Sequence, residues 1–238
     1  MDYNILIGEH IKKKYGNNTV LRDVSIHIKQ GEIYGLIGKN GSGKTTLLRI
    51  LCGLIPNYGG KVVLADVNGR KCKVAAVINA PALFLNMTAS ENLKEQSALL
   101  GLHDDTIISN ALKTVGLVDY AHKTVKGFSL GMTQRLKLAM ALIESSDLLI
   151  LDEPVNGLDP DGIAELRELL HQLNQKHGMT ILVSSHILSE LEHTATCLGI
   201  LNNGEIVKEI SIRDIQQSNT TLENLYMQYT KGGLNHNA

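Results

Sequence analysis

The 238-residue chain is 43% hydrophobic and carries a formal net charge of −1, from 23 lysines and arginines against 24 aspartates and glutamates. That balance leaves no basic footprint for nucleic acid, and no stretch approaches the roughly 20 apolar residues that a membrane-crossing helix needs. The three cysteines, Cys52, Cys72 and Cys197, lie apart without CxxC spacing, which suits reduced thiols rather than a disulfide framework or a metal centre. His171 and His177 would not share one helix face, so zinc is not expected either. The start, Met1-Asp2-Tyr3-Asn4, lacks the charged and apolar regions of a signal peptide, and a cytoplasmic chain is expected.

Ile5 to Ile28 is expected to supply antiparallel strands. Ile33 to Ile37 then reads as a buried strand that runs into Gly38-Lys39-Asn40-Gly41-Ser42-Gly43-Lys44-Thr45, followed by a helix over Thr46 to Leu51. Glycines at 38, 41 and 43 let the backbone wrap a di- or triphosphate and aim amide N–H groups at it from a helix start, where the dipole also favours negative charge. Lys44 supplies a point charge and Thr45 a hydroxyl at the place where a P-loop holds Mg²⁺. Asn40, Ser42 and Thr46 complete the nucleotide-binding run, and ATP with Mg²⁺ is the expected ligand.

Lys61 to Ile78 predicts further strands, broken by the turn at Asn68-Gly69. Between Pro81 and Ser145 the pattern changes: Glu91 to Leu100, Thr106 to Val115 and Leu130 to Glu144 have helical spacing, with polar breaks at Gly101 and Gly127. A helical insert over about residues 81–145 follows. Leu148 to Leu151 is an apolar run suited to a strand buried on both faces, and it ends in Asp152 and Glu153. On a parallel sheet this places Asp152 where it can order a Mg²⁺ shell, with Glu153 beside it to take a proton from an attacking water. Asp161 to Lys176 reads as an amphipathic helix stopped by Gly178, Met179 to Ser184 as a β-branched strand, Glu205 to Ile210 as a last strand and Leu222 to Tyr229 as a helical tail. Residues 1–230 thus form one domain, and 231–238 a flexible end.

Phe128-Ser129-Leu130-Gly131-Met132-Thr133-Gln134-Arg135-Leu136-Lys137-Leu138-Ala139 resembles the signature motif of the ATP-binding cassette (ABC) ATPases, and the resemblance extends from about Ile5 to Tyr229. Ser129 is also a good N-cap for the helix that follows. The resemblance implies an α/β P-loop NTPase (RecA-like) core with an antiparallel β-subdomain and an inserted α-helical subdomain. It implies that Ser129 and Gly131 touch the γ-phosphate held by another copy, that Asp159 in Val155-Asn156-Gly157-Leu158-Asp159-Pro160 shapes the site across the dimer, and that His186 contacts the γ-phosphate. It places Asn79 where the family usually has Gln, as a nucleotide and Mg²⁺ contact, although Asn79 could simply end its strand before Pro81. It makes Tyr15 the aromatic that stacks on adenine, unless Tyr15 is a strand-end filler. The predicted catalytic groups are therefore Glu153, His186 and Lys44, and the metal-binding groups Thr45, Asp152 and Asn79.

Leu130 replaces the first signature glycine, and Met132 stands where glutamine is usual. A Ser-Leu-Gly-Met signature resembles the branch serving bacitracin export, lantibiotic self-protection and related exporters. The implied assembly is a homodimer, or a pair of homologous ATPases, with ATP at the interface, held peripherally at the membrane by a polytopic permease. Pro81 to Leu93 would line the groove for that permease, with Phe84, Leu85 and Met87 as contacts unless they pack into the core. The alternative is a non-transport ABC ATPase acting on ribosomes or DNA, although paired cassettes and basic extensions are missing.

Overall fold

A computed structural model describes residues 3–78, 83–102, 104–218 and 220–231. At its centre is a six-stranded sheet in the order β11-β10-β3-β9-β8-β7. The strands β3 (Ile33–Ile37), β7 (Val74–Val77), β8 (Leu148–Asp152), β9 (Thr180–Ser185) and β10 (Cys197–Asn202) pair in parallel, and β11 (Glu205–Ser211) runs antiparallel at the edge. β3 and β9 are buried at every position, which is why neither shows the alternation of a half-exposed strand.

A second sheet, β2-β1-β4, is antiparallel and is built from β1 (Asn4–Tyr15), β2 (Asn18–Lys29) and β4 (Gly59–Leu64). The segment from Lys61 to Ile78 therefore divides between two sheets. β4 joins the antiparallel one, β5 (Asp66–Val67) and β6 (Arg70–Lys71) make a small hairpin about Asn68-Gly69, and β7 joins the parallel sheet.

Helix α1 (Lys44–Leu51) leads out of β3 through the glycine loop. Helices α2 (Ala89–Leu99), α3 (Asp105–Thr114) and α4 (Leu130–Leu142) fill the chain between β7 and β8. α2 begins before the expected Glu91 because Thr88 and Glu91 form a reciprocal capping box, Thr88 Oγ1 accepting from the Glu91 amide at 3.2 Å. α5 (Pro160–His177) buries Leu166, Leu169, Leu170 and Leu173, and it ends at Gly178 in the left-handed region, φ 64°. Two short helices escaped the sequence reading, α6 (Leu188–Thr194) and α7 (Ile212–Gln217); each is under two full turns, too short for a 3.6-residue period to declare itself. α8 (Leu222–Lys231) closes the described chain. No helix among the described residues is long and apolar enough to cross a membrane.

The register of β7 on β8 is fixed at their start. Asp147 accepts from Arg70 Nη1 and Nη2 at 2.7 and 3.1 Å and from the Lys73 amide at 2.8 Å, and its own amide donates to Lys73 O at 2.9 Å. Burial alone would raise the Asp147 carboxyl, but the Arg70 guanidinium and the Lys73 amide outweigh it and hold it below the usual aspartate range. A depressed folded value means that the stabilisation is complete above the unfolded aspartate pKa, about 3.9, and disappears as the pH falls through the folded one. Arg70→Ala is expected to lower the melting temperature at neutral pH, with a difference from the parent chain that shrinks on acidification to about pH 3. Thermal melts across that range check it, and a pH-independent difference would contradict the assignment.

Candidate active site

Parallel pairing brings the carboxyl ends of β3, β9 and β8 side by side, with Ile37 opposite Ser185 and Asp152 opposite Ser184. The residues that follow each strand therefore emerge at one sheet edge: Gly38 after β3, Glu153 after β8 and His186 after β9.

The loop after β3 turns through Ser42 N–H to Lys39 O at 3.1 Å and enters α1 through Gly43, whose φ of 107° is open only to glycine. At Gly38 a Cβ would stand 2.6 Å from both Leu201 O and Ser42 Oγ, so the chain must be bare there too. α1 starts with no side-chain cap and no acidic residue in its first turn, whereas α2, α4 and α5 are each capped by a side chain. Its first amides are left for an outside acceptor, and the Ser42 hydroxyl is buried without a partner. These features fit a phosphate group.

Lys44 is only 6% exposed, an unusual place for an ammonium. It donates to Gly38 O at 2.7 Å and lies 3.2 Å from Glu153 Oε1. Glu153 Oε2 in turn lies 2.7 Å from His186 Nδ1. The carboxylate thus stands between a fixed cation and an imidazole, a geometry that can accept a proton and pass it on. Its backbone is unusual as well, with φ at 49° for a residue that is not glycine.

Two hydroxyls hold the acidic edge. Thr45 Oγ1 donates to Asp152 Oδ2 at 2.6 Å, Ser184 Oγ donates to Asp152 Oδ1 at 2.7 Å, and Ser184 Oγ accepts from the Glu153 amide at 3.0 Å. Ser184 has no accessible surface. Sequence reasoning missed it because a serine at the end of an apolar run carries no signal of its own; only the pairing of β9 with β8 sets it beside Asp152. No group of three or more His, Cys, Asp or Glu side chains converges on a metal among the described residues. Thr45 and Asp152 instead offer the few hard oxygens suited to Mg²⁺ carried largely on phosphate.

A cavity of about 480 Å³ opens above these groups, lined by Asn40, Gly41, Gly43, Lys44, Thr45, Thr46, Glu153 and His186, together with Val20 and Asn156, which the sequence did not single out. Gly38, Ser42 and Asp152 are not among its lining residues, although each is bonded to or adjoins one that is. Tyr15 is the last residue of β1 and lies outside this lining, half-exposed with Lys13 Nζ 5.0 Å from its ring centroid. Asn79 and Pro81 lie outside the described residues.

Ser129, Gly131 and Asp159 stand elsewhere. They line a second cavity of about 440 Å³ with Leu130, Arg135, Gly157 and Glu165, and the two cavities share no lining residue. Ser129 caps α4, its Oγ accepting from the Met132 amide at 3.2 Å, and Asp159 Oδ1 caps α5 by accepting from the Gly162 amide at 3.0 Å. Both side chains therefore do structural work in the single chain.

The apolar loop before α2 is fixed rather than loose. The Asn92 side chain accepts from Phe84 N and donates to Phe84 O, while Lys126 N donates to Leu85 O. Phe84 and Leu85 nonetheless stay 53% and 55% exposed, and only Met87 turns partly inward. The core-packing reading therefore fails for the first two.

Removing the Ser184 hydroxyl leaves the Asp152 carboxylate and the Glu153 amide each short of a partner in a buried place. Ser184→Ala is expected to destabilise the fold by roughly 1–3 kcal/mol. Urea unfolding measures it, and an unchanged midpoint would show that the bridge is dispensable.

Residues 21–156 match the model of the ABC transporter family. The chain is 44% identical over 207 residues to the lantibiotic transport ATP-binding protein SrtF of Streptococcus pyogenes, covering 84% of this chain and 88% of that one. It is 41% identical over 215 residues to the bacitracin transport ATP-binding protein BcrA of Bacillus licheniformis, covering 88% and 70%. Among solved structures, an ATP-binding subunit of an ABC transporter superposes with a TM-score of 0.79 at 28% identity, over 94% of this chain and 99% of that one.

Proposed function

Since the chain belongs to the ABC transporter family and is one of its ATPases, we propose that it powers export of a peptide antibiotic or drug-like substrate through a separate membrane permease, working as two copies that enclose ATP between them. The observation that carries the two-copy reading is the separation of the cavities. Lys44, Thr45 and Glu153 line one, Ser129 and Gly131 the other. With the two surfaces lining different cavities of one chain, a second copy would bring its Ser129 surface to a phosphate held in the first.

In this reading the α1 amides and Lys44 hold the β- and γ-phosphates, and the exposed ring of Tyr15 stacks on adenine. Thr45 and Asp152 would hold Mg²⁺, which would supply positive charge to offset that of the phosphates. Glu153 takes the proton of the attacking water, while His186, 2.7 Å away, fixes the carboxylate's direction and faces the γ-phosphate. Contacts from Ser129 and Gly131 exist only in the closed pair, so binding favours closure and cleavage releases it. Phe84 and Leu85, exposed on a hydrogen-bonded loop, supply an apolar contact for the permease, which keeps the chain peripheral at the cytoplasmic face.

The export substrate rests on the naming of the two relatives as lantibiotic and bacitracin transport proteins and on the Ser-Leu-Gly-Met variant. Cells carrying the chain with its permease are expected to resist bacitracin or a lantibiotic better than cells without it. Equal sensitivity across a panel of such compounds would remove the substrate assignment and leave the ATPase assignment standing.

Glu153→Gln keeps the shape of the side chain and removes the base. It is expected to reduce turnover by about 10²–10⁴-fold while an ATP-bound dimer accumulates. Sedimentation with ATP reads the dimer and phosphate release the rate. Persistent monomer with full turnover would overturn both the base assignment and the paired arrangement. Ser129→Arg should prevent the dimer yet leave ATP binding by the single chain nearly intact.

A further inference from the structure

We propose that Leu130 is a positioning residue for ATP turnover: its side chain ties the start of α4 to the loop behind Glu153, joining the surface that one copy offers its partner's nucleotide to that copy's own catalytic carboxylate. This rests on the two-copy reading above.

Leu130 is the first residue of α4, directly after the Ser129 cap, and it is 49% exposed in the cavity that holds Ser129 and Gly131. A large apolar side chain in that position forfeits burial, so a contact is the place to look for its use. One exists. A Cβ built on Gly157 would stand 3.0 Å from Leu130 Cδ2, so the leucine methyl rests over the bare Cα of Gly157. Gly157 has a φ of 79°, which reinforces the need for glycine there. The leucine and the glycine fit each other across two separate segments of chain.

The segment beneath the leucine is stiff. Asn156 N donates to Glu153 O and Leu158 N to Val155 O, both at 3.1 Å, so two successive turns link Glu153 to Leu158. Asp159 then caps α5. At the other end Glu153 is held in its left-handed conformation by the bond from its amide to Ser184. A push at Gly157 therefore meets few free torsions before it reaches the Glu153 carboxylate.

Further along, α4 meets α5 through the Arg135–Glu165 ion pair. Glu165 is 61% exposed, so that pair is a weak link, and transmission falls to the apolar contact at Leu130. A partner pressing its nucleotide onto Ser129 and Gly131 presses Leu130 as well. The displacement passes to Gly157 and hence to Glu153, so closure around one nucleotide readies cleavage of the other.

A glycine at 130 removes this tie and leaves the Ser129 cap in place. Four proteins test it as full chains: the parent, Leu130→Gly, Leu130→Met, and Leu130→Gly combined with Glu153→Gln. Leu130→Gly is expected to lower kcat about tenfold with KM nearly unchanged and to bring the Hill coefficient for ATP towards one. Hydrogen exchange at the Asn156 and Leu158 amides of the nucleotide-free monomer should quicken, and Leu130→Met should restore all three readouts. The double variant should still dimerise with ATP, which separates the tie from the interface itself.

Parental kcat and Hill coefficient in Leu130→Gly would overturn the proposal. Loss of the dimer in the double variant, while Glu153→Gln alone forms it, would also overturn it, by making Leu130 an interface contact. If Glu153→Gln alone never dimerises with ATP, the two-copy reading falls and takes this inference with it.

Discussion

Ser184 decides how the acidic end of β8 is held. One hydroxyl serves two neighbours: it donates to the Asp152 carboxylate and accepts from the Glu153 amide. It can do so only because β9 and β8 run parallel in a register that sets Ser184 opposite Asp152. The same pairing fixes β3, and with it the origin of the phosphate loop. Slide one strand by one residue and every side chain on it changes face, so Thr45 would lose Asp152. The chemistry therefore depends on a sheet register whose cause is ordinary: runs of isoleucine, leucine and valine that must be buried on both sides.

Much of this was legible in the residues themselves. The strand, glycine loop and helix at Ile33 to Leu51 declare themselves because each carries its own local signal: an apolar run, glycines where the backbone bends, then a 3.6-residue period. Asp152 and Glu153 were legible because they end a buried strand in a chain that already carries a phosphate loop upstream; by themselves two such acids could be a solvated turn. Ser184, Val20 and Asn156 were not, since their part is given by what stands across from them and not by their neighbours in sequence. α6 and α7 were missed for a related reason, their few residues being placed by contacts with the rest of the fold. The division of Lys61 to Ile78 between two sheets is likewise a matter of pairing, and local spacing does not record it. Ser129 and Asp159 show the converse. Ser129 is recognisable as a helix cap from sequence, whereas Asp159 shows itself as one only in the structure; each caps a helix, and both also line a cavity that shares no residue with the one at the phosphate loop.

That double employment has a mechanical meaning. A cap residue cannot wander, because its side chain is tied to the first turn of its helix, so Ser129 and Asp159 present the cavity with groups whose positions are set in advance. Glu153 is placed with similar firmness by a backbone conformation that few residues adopt. The price of such order is met by the sheet and the helices behind it, and little of the ordering is left to be done when a ligand arrives.

The bare start of α1 carries one more implication. Where other helices in the chain bring their own acceptor to their first turn, this one relies on a visitor, and any visitor that binds the folded chain but not the unfolded one shifts the folding equilibrium in proportion to the logarithm of its abundance. Resistance of the polypeptide to heat and proteolysis would thereby rise with the concentration of the phosphate-bearing ligand it binds.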